Sequence, residues 1–420
     1  MADTQWRGGP ADGQARRILV VGASAAGLAA VETLRGEGYD GTLTLVGEEA
    51  RAPYDRPPLS KQVLGVRWEP ERLALRTRAE LDGLDLDLRL GVAATALDAA
   101  ARTVLLADGT RLSYDGLIVA TGVRPRRLPG EGAHVLRTVD DALTLRERLG
   151  HGRRLVIVGA GFLGAEAAAV ARGMGTEVTL LEPAPVPLAH AVGEEVGRVL
   201  SAAHLEHGVD LRTGVIVTEV TEDGVRLAGG ELVDADEVLV AIGCVPNTGW
   251  LEGGGLKVAD GLVCDQFCAA GPGVYGAGDV ARWYNPLFGT SMRVEHRTNA
   301  AEQGMTAAYN LLHPRARRPF APLPYFWSDQ YDMRVLAFGH LRGHDEIVVV
   351  EGELSERRFL AVYRTGDRLA GALAVGMRPK AMRPWRQAIA TGTSWHEAIR
   401  AWAWATDADA QEAVHGEPSF

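Results

Sequence analysis

Two hydrophobic runs, each followed by a glycine-rich turn and an alanine-rich stretch, dominate the pattern of apolar and polar positions. Residues 18–21 lead into Gly22-Ala23-Ser24-Ala25-Ala26-Gly27, and residues 155–158 lead into Gly159-Ala160-Gly161-Phe162-Leu163-Gly164. An unbroken run of four apolar residues predicts a buried strand, and each alanine-rich stretch predicts a helix. This order places backbone N–H groups at a helix N-terminus, where a pyrophosphate can bind. The pattern therefore predicts two separate dinucleotide sites.

An acidic residue follows the next predicted strand in both copies. Glu48 comes after the run 43–47, and Glu182 ends the run 177–182. A carboxylate about 20 residues beyond the glycines is where the hydroxyls of a ribose bind. Glu182 would also repel a 2′-phosphate, so the second site is predicted to prefer NADH to NADPH. For Glu48, a solvated glutamate at a strand end is the alternative interpretation.

Composition narrows the class of protein. The chain has 420 residues, of which 46% are hydrophobic, and a net charge of −10. These values fit two or three globular domains and argue against general nucleic-acid binding. No apolar run approaches the ~18 residues of a membrane span, and the N-terminal stretch lacks the apolar core of a signal peptide. We therefore predict a cytoplasmic protein without a nucleic-acid or membrane partner.

The cysteines are sparse. Cys244, Cys264 and Cys268 form no Cys-x-x-Cys pair, and an odd number of cysteines favours a reducing compartment. Cys264 and Cys268 are either metal ligands, a redox pair, or small buried side chains. We favour burial and predict no metal site.

The last hundred residues change in character. Hydrophobic segments between 335 and 375 have the spacing of an antiparallel sheet, and two helical segments follow. The second of these opens with the capping box Ser394-Trp395-His396-Glu397. A stretch without any acid, 371–393, contains four cations: Arg378, Lys380, Arg383 and Arg386. Such a stretch either docks an acidic partner or is a solvated helix face.

Several short motifs carry a resemblance to a known family. They are Pro53-Tyr54-Asp55-Arg56-Pro57-Pro58-Leu59-Ser60-Lys61, Ala120-Thr121-Gly122, Ile242-Gly243 with Pro246-Asn247, Tyr275 with Ala277-Gly278-Asp279, and Phe326-Trp327-Ser328-Asp329-Gln330. With the two glycine turns, they resemble the FAD-containing NADH:ferredoxin reductases that serve cytochromes P450 and ring-hydroxylating oxygenases. The resemblance covers about residues 17–400. It implies an α/β fold with two Rossmann-like dinucleotide-binding domains, arranged as in glutathione reductase, and a C-terminal α+β domain.

The resemblance also implies a discontinuous first domain. Residues 16–122 and 248–316 would form the FAD-binding domain, and residues 123–247 the NADH-binding domain inserted into it. Residues 317–420 would form the C-terminal domain, and residues 1–15 a flexible tail.

By the same resemblance, two residues are catalytic. Lys61 would lie against flavin N5, where a cation stabilises the charge that develops on reduction. Glu166 would pair with Lys61 and help to seat the nicotinamide. A surface glutamate is the alternative for Glu166, but its position within the alanine-rich run 165–171 argues against that.

The remaining cofactor-binding residues are also carried over from the family. On the FAD side the glycine turn would hold the pyrophosphate, Asp279 the ribityl chain and Ala94 the adenine by its backbone, while the backbone N–H of Arg297 and the ring of Trp327 would flank the isoalloxazine. The full cofactor set is Gly22, Ser24, Ala26, Gly27, Glu48, Arg56, Lys61, Ala94, Ala120, Thr121, Gly122, Arg137, Gly159, Gly161, Phe162, Leu163, Gly164, Glu182, Gly243, Asp279, Glu295, His296, Arg297 and Trp327.

Three departures from the family pattern stand out. Ser24 replaces the second glycine of the flavin turn, and its small hydroxyl side chain is compatible with FAD binding. Arg297 replaces an aromatic residue of several relatives and adds charge near the expected electron exit. The catalytic cysteines of the related disulfide reductases and NADH peroxidases are absent.

The resemblance implies a flavoprotein that passes electrons from NADH, through tightly bound FAD, to an iron–sulfur ferredoxin. The ferredoxin would dock transiently through charge and supply a P450 or Rieske-type oxygenase. The reductase itself would be a monomer or a weak homodimer. Two alternatives stay open: an NADH oxidase or peroxidase-like enzyme, which needs a cysteine near the flavin, and a redox-gated interaction flavoprotein similar to apoptosis-inducing factor.

Overall fold

The computed structural model describes residues 15–404. Its first segment opens with the predicted strand, turn and helix and ends on a buried strand. A π-helical turn, Leu59–Val63, carries Lys61. The regular elements are β1 (Arg17–Val21), α1 (Ala25–Gly36), β2 (Thr42–Gly47), α2 (Arg78–Asp82), β3 (Asp87–Leu90), β4 (Ala94–Asp98), β5 (Thr103–Leu106), β6 (Arg111–Ser113) and β7 (Gly116–Val119).

The second segment repeats the strand, turn and helix. Its elements are β8 (Val123–Pro125), α3 (Val139–Arg146), β9 (Arg154–Val158), α4 (Phe162–Gly173), β10 (Glu177–Glu182), α5 (Ala189–Val192), α6 (Glu194–Glu206), β11 (Asp210–Thr213), β12 (Val217–Thr221), β13 (Gly224–Leu227), β14 (Leu232–Asp234), β15 (Glu237–Val240) and β16 (Cys244–Pro246).

The chain then returns to the first unit and closes with a sheet and two helices. The elements are β17 (Leu262–Cys264), β18 (Ala269–Gly271), β19 (Val274–Gly276), β20 (Ala281–Asn285), β21 (Thr290–Met292), α7 (Arg297–Leu312), β22 (Tyr325–Gln330), β23 (Met333–Gly339), β24 (Glu346–Glu353), β25 (Arg358–Thr365), β26 (Arg368–Val375), α8 (Arg383–Ala390) and α9 (395–404).

Two mainly parallel sheets form the centres of the first two units, and the edge strand β18 pairs antiparallel with β19. The first sheet has the order β18-β19-β7-β1-β2-β3, and the second β11-β10-β9-β15. Strands β1 and β9 lie inside their sheets and are buried on both faces, which explains their unbroken apolar sequences. The predicted α/β fold with two Rossmann-like units is confirmed.

The C-terminal unit is built differently. Its five strands form an antiparallel sheet in the order β22-β23-β26-β25-β24, and α8 packs against one face through Trp385 and Ile389. The capping box that opens α9 is present, since Ser394 and Glu397 exchange hydrogen bonds with each other's backbone N–H groups. The α+β character predicted from the sequence is confirmed.

Some boundaries differ from those that the sequence predicts. The proline-rich stretch 124–130 predicts a linker, yet β8 pairs with β16, so the two connections between the units form an antiparallel ribbon. The run 238–247 predicts a single strand, which is broken at Gly243, where φ is +88°. The sequence predicts a helix over 138–149, which ends at Arg146, and a helix from Ala300, which begins at Arg297.

The predicted N-terminal tail and the end of the C-terminal domain fall largely outside the described residues. Within 15–404, no helix is both long and apolar enough to cross a bilayer.

Helices α1 and α7 pack unusually closely, and a glycine makes this possible. A Cβ at Gly304 would lie 2.2 Å from the carbonyl oxygen of Ala26 in the first glycine turn. Because Ala26 is fixed by the turn, a side chain at position 304 would have to displace α7 from α1.

We expect Gly304→Ala to lower the free energy of unfolding by about 1–3 kcal/mol, because overpacking strains a close helix contact. Gly36→Ala is the matched control: it lies at the exposed end of α1, where an added Cβ meets no described atom within 4 Å. This control should leave stability unchanged or raise it by up to about 1 kcal/mol. Denaturant unfolding of both FAD-loaded variants tests the expectation, and equal stabilities would contradict it.

Candidate functional site

The two glycine turns have the same geometry. Gly22 has φ +119°, and a Cβ there would lie 2.1 Å from the carbonyl oxygen of Ala120 at the end of β7. A Cβ at Gly27 would lie 1.9 Å from the carbonyl oxygen of Gly22. Gly159 and Gly164 repeat both close approaches to backbone oxygens, at 2.5 and 2.0 Å. The first and third glycines are therefore required by the packing of strand, turn and helix.

The second position of the turn is different. A Cβ at Gly161 would meet no described atom within 4 Å, so the protein itself leaves room there. Ser24 occupies the equivalent position in the first turn as the N-cap of α1, with an extended backbone. Its hydroxyl makes no capping hydrogen bond to the helix and is free to donate to a ligand. The departure from glycine therefore leaves the turn intact.

The two strand-end acids are not equivalent. Glu182 accepts from the backbone N–H groups of Ala160, at 2.9 Å, and Ala184, at 3.0 Å. The backbone N–H of Gly22 donates to the carbonyl of Val46, and that of Gly159 donates to the carbonyl of Leu181. Val46 and Leu181 are therefore equivalent, so Glu182 corresponds to Gly47 rather than to Glu48.

Glu48 therefore lies one residue further from the first turn, and its side chain is exposed. A Cβ at Gly47 would lie 2.7 Å from the Cβ of Ala23. A side chain at position 47 would therefore require the turn or the strand end to shift. Ala94 begins β4 nearby, since the backbone N–H of Val92 donates to the carbonyl of Gly47.

A buried ion pair joins the three units. Lys61 Nζ lies 2.7 Å from Glu166 Oε2, and the exposed fractions of the two side chains are 11% and 6%. Ser60 Oγ donates to the same carboxylate oxygen at 2.6 Å, and Ser328 Oγ donates to Oε1 at 2.7 Å. Removing one partner of a buried pair costs about 3–5 kcal/mol because it leaves an uncompensated charge. Lys61 and Glu166 are thus brought together as the sequence predicted.

A second charged cluster surrounds Asp279, which follows β19. Arg137 donates to Asp279 Oδ2 at 3.3 Å, and Arg56 donates to the carbonyl of Arg137 at 2.6 Å. Arg56 also pairs with Glu49 at 2.6 Å. Burial, with a smaller contribution from Glu295, raises the pKa of Asp279. Arg56 thus acts on this cluster by holding Arg137 and the strand-end loop in place.

Aromatic and charged side chains line the other side of the lysine loop. Arg297 Nε donates to Asp55 Oδ1 at 2.5 Å, which ties the first turn of α7 to the motif that carries Lys61. The ring of Phe326 lies 4.9 Å from Phe162 and 5.3 Å from His296, centroid to centroid. Burial lowers the pKa of His296 to about 4, so its ring is neutral.

The remaining predicted residues lie around the β8–β16 ribbon and the two turns. Thr121 and Asn247 exchange hydrogen bonds at 2.9 Å, so Thr121 joins the two chain crossings. A Cβ at Gly122 would lie 3.1 Å from the Arg137 guanidinium. Leu163 is partly exposed at the start of α4, and Trp327 on β22 is half-buried and stacks on Tyr325 at 5.8 Å.

Sequence reasoning missed several polar residues of this site. Ser60 and Ser328 were noted only as members of motifs, and nothing in their spacing indicates that both reach Glu166. Asn299, on the first turn of α7, is 3% exposed, and neither of its amide atoms has a hydrogen-bond partner among the described residues. Two residues of the predicted cofactor set resemble Asn299 in this respect: His296 Nδ1 and Arg56 Nε are buried and have no hydrogen-bond partner among the described residues. Buried polar atoms without partners indicate a ligand that supplies the missing hydrogen bonds.

Comparison with known proteins decides the family. Residues 16–304 match the model of the pyridine nucleotide-disulphide oxidoreductases, and residues 325–404 match that of the reductase C-terminal domain. The chain belongs to the pyridine nucleotide-disulphide oxidoreductase family. It is 38% identical, over 79% of its length and 83% of the relative, to the ferredoxin–NAD(+) reductase component of the p-cumate 2,3-dioxygenase system of Pseudomonas putida.

Two further comparisons agree. Rhodocoxin reductase of Rhodococcus erythropolis is 36% identical over 89% of each chain. The solved covalent complex of putidaredoxin reductase with putidaredoxin superimposes with a TM-score of 0.85 at 33% identity, covering 90% of this chain and 93% of that one. The expected resemblance to ferredoxin reductases is confirmed, and FAD and NAD(P)H are the cofactors of this oxidoreductase.

The geometry of the reductase fits FAD in its first unit. The turn packs against backbone atoms at Gly22, whereas the Ser24 hydroxyl makes no capping hydrogen bond. The unpartnered atoms of Asn299, His296 and Arg56 need hydrogen-bond partners. Asp279 would meet hydroxyl groups of the cofactor, which favour a buried carboxylate.

The cysteines of the reductase do not fit disulfide chemistry. Cys264 and Cys268 are buried in the core of the first unit. Cys244 is distant from the lysine motif in sequence, yet it lies beside Glu295 in the structure. Burial, together with Glu295, raises the pKa of Cys244 to about 12, so it is a neutral thiol at neutral pH. The nucleophile of a thiol enzyme is the thiolate, and none of these three groups provides it.

We expect Glu182→Ser to reduce the discrimination between the coenzymes. The substitution removes the carboxylate that Ala160 and Ala184 hold at the strand end, and with it the repulsion of a 2′-phosphate. The kcat/KM for NADH should fall about tenfold or more, and the NADPH/NADH ratio should rise. Steady-state kinetics with both coenzymes measure this. A wild-type kcat/KM for NADPH equal to or above that for NADH would show the expectation to be wrong.

Glu48→Ser is the matched control, because Glu48 occupies the other, exposed strand end. It should leave the coenzyme ratio unchanged while the content of bound FAD reports any effect on the first site.

Proposed function

We propose that this reductase transfers electrons from NADH to an iron–sulfur ferredoxin that supplies a cytochrome P450 or Rieske-type oxygenase. FAD, when bound, accepts a hydride and returns electrons singly to a one-electron acceptor. The observation that carries the proposal is the buried pair of Lys61 and Glu166, which joins the first unit to the helix after the second dinucleotide turn. None of the three cysteines supplies a thiolate. The relatives reported above are reductase components of such systems, which supports the same acceptor class.

The residues have distinct roles in this proposal. The first turn, Glu48, Arg137, Asp279 and the backbone around Arg297 bind FAD. The second turn binds NADH, and Glu182 receives its ribose hydroxyls. Lys61 presents a cation to the flavin, and Glu166 holds that cation in place and keeps the buried charge neutralised.

The exit of electrons is proposed to lie near the C-terminal sheet. The rings of Trp327, Tyr325 and Phe338 stack in succession, at 5.8 and 4.7 Å between centroids. The guanidinium of Arg386 lies 5.2 Å from the Phe338 ring. This series connects a residue proposed to flank the flavin with the exposed basic stretch. An acidic ferredoxin would dock there by charge complementarity, although the reductase as a whole is acidic.

Domain limits, assembly and compartment complete the proposal. We place the limits of the inserted NADH-binding domain, 123–247, at the β8–β16 ribbon. The reductase would act in the cytoplasm as a monomer or a weak homodimer. The free state of all three cysteines supports a reducing compartment.

Anaerobic stopped-flow mixing tests the acceptor class. The NADH-reduced protein is mixed with putidaredoxin, an iron–sulfur protein known in complex with a similar reductase. We expect rapid flavin re-oxidation that saturates with putidaredoxin and slows as salt is added. NADH-driven peroxide formation without any ferredoxin reduction would overturn the proposal in favour of an oxidase. A long-lived reduced complex whose re-oxidation rate does not change when the ferredoxin is added would favour the redox-gated interaction protein.

Charge reversal tests the docking surface. We expect Arg383→Glu, on the exposed side of α8, to lower the second-order rate constant with putidaredoxin about threefold to tenfold at low salt. The reduction of ferricyanide, which needs no protein docking, should not change. Arg111→Glu is the control, since it makes the same charge change on exposed β6. Equal effects of the two variants would show that only net charge matters.

A further inference from the structure

A chain of hydrogen bonds runs from Glu166 into the interface between the second and C-terminal units. Ser328 Oγ contacts Glu166 Oε1 at 2.7 Å, and Gln330 Nε2 contacts Ser328 Oγ at 3.2 Å. Gln330 Oε1 contacts His204 Nε2 at 3.2 Å, and His204 Nδ1 contacts the hydroxyl of Tyr331 at 2.8 Å. Ser328, Gln330 and His204 are buried, with exposures of 0%, 0% and 3%.

The chemistry of each group fixes the direction of this chain. Gln330 donates through its amide nitrogen and accepts through its oxygen, so His204 must carry its proton on Nε2. His204 Nδ1 then accepts from Tyr331, and Ser328 accepts from Gln330 and donates to Glu166. Every donor thus points towards the same carboxylate. The chain to Glu166 needs a proton on His204 Nε2, so a neutral His204 must be the Nε2–H tautomer.

The surroundings of His204 keep its ring neutral. A small cavity beside it is lined by apolar side chains, among them Leu180, Leu188 and Leu200. Burial lowers the pKa of His204 to about 4. The other titratable groups facing it are Tyr331 and His207, whose rings stack at 3.7 Å, and the described contacts place no carboxylate against it.

We propose that Ser328, Gln330 and His204 are positioning residues that hold the Glu166 carboxylate, and through it Lys61, in the geometry for hydride transfer. The inference rests on the proposed function only for the step between NADH and the flavin. Ser60 and Lys61 bind one carboxylate oxygen from the first unit, and the chain from the C-terminal unit fixes the other. A carboxylate held at both oxygens cannot rotate, so the ammonium group of Lys61 is held as well.

The main test removes the last link with Ser328→Ala in the FAD-loaded protein. The limiting rate of flavin reduction by NADH should fall about tenfold, the value expected for losing one hydrogen bond to a charged group. The dissociation constant for NADH should change little, because Glu182 and the second turn are untouched.

Ser201→Ala is the matched control. Ser201 lies on α6 beside the same cavity, but its hydroxyl donates to the carbonyl of Gly197 within its own helix. The control should leave the reduction rate as in the wild type. Gln330→Met breaks the chain one link further away with a similar volume. It should lower the reduction rate in the same direction by a smaller factor.

A second measurement is independent of activity. Nitrogen NMR of histidine-labelled protein, with His204 assigned by His204→Gln, should show the Nε2–H tautomer at neutral pH. In Gln330→Met the same ring should no longer be restricted to that tautomer. A wild-type ring in the Nδ1–H tautomer, with no proton on Nε2, overturns the proposal.

The kinetic outcomes separate this inference from the proposed function. A Ser328→Ala enzyme with the wild-type reduction rate overturns the positioning role, whether or not ferredoxin is reduced. A slowed reduction step in a protein that reduces no ferredoxin supports the positioning role and rejects the acceptor.

Discussion

The buried contact between Lys61 and Glu166 is the interaction on which the arrangement of the three units depends. Each partner alone would be an uncompensated charge in a site that excludes water. Lys61 comes from the π-helical turn of the first unit, Glu166 from α4 of the second, and Ser328 from the C-terminal sheet. The three units must therefore be docked correctly before the carboxylate is fully bound. The proposed catalytic pair therefore also holds the units of this protein together.

The two dinucleotide units show which positions of a repeated motif must be glycine and which can vary. The first and third glycines recur because a Cβ at either position would collide with backbone atoms. The second position meets no such obstacle in the protein, so Ser24 and Gly161 can differ. The strand-end acids differ as well: Gly47 stands where the second copy has Glu182, and a Cβ at position 47 would lie 2.7 Å from the Cβ of Ala23. The second acid is fixed by two backbone N–H groups, while the first lies in solvent.

Charge is distributed unevenly over the molecule. The net charge of −10 excludes general nucleic-acid binding, yet four cations gather on and beside α8 without an acid in the same stretch. Their position beside the ring series of Trp327, Tyr325 and Phe338 relates the basic surface to the proposed electron exit. Arg297 is held by Asp55 and so belongs to the internal scaffold of the lysine loop.

The sequence by itself determined the buried strands of the two sheets, the two glycine turns and the antiparallel C-terminal sheet, while the family resemblance supplied the proposed catalytic pair. These features follow from local rules: runs of apolar residues, glycines at fixed spacing and motifs of fixed length. The tertiary structure alone decided which groups meet. The β8–β16 ribbon, the offset of Glu48, the proximity of Cys244 to Glu295 and the chain from Glu166 to Tyr331 all join residues distant in sequence. Their contacts depend on how three units dock, and no local pattern encodes the distances across such an interface.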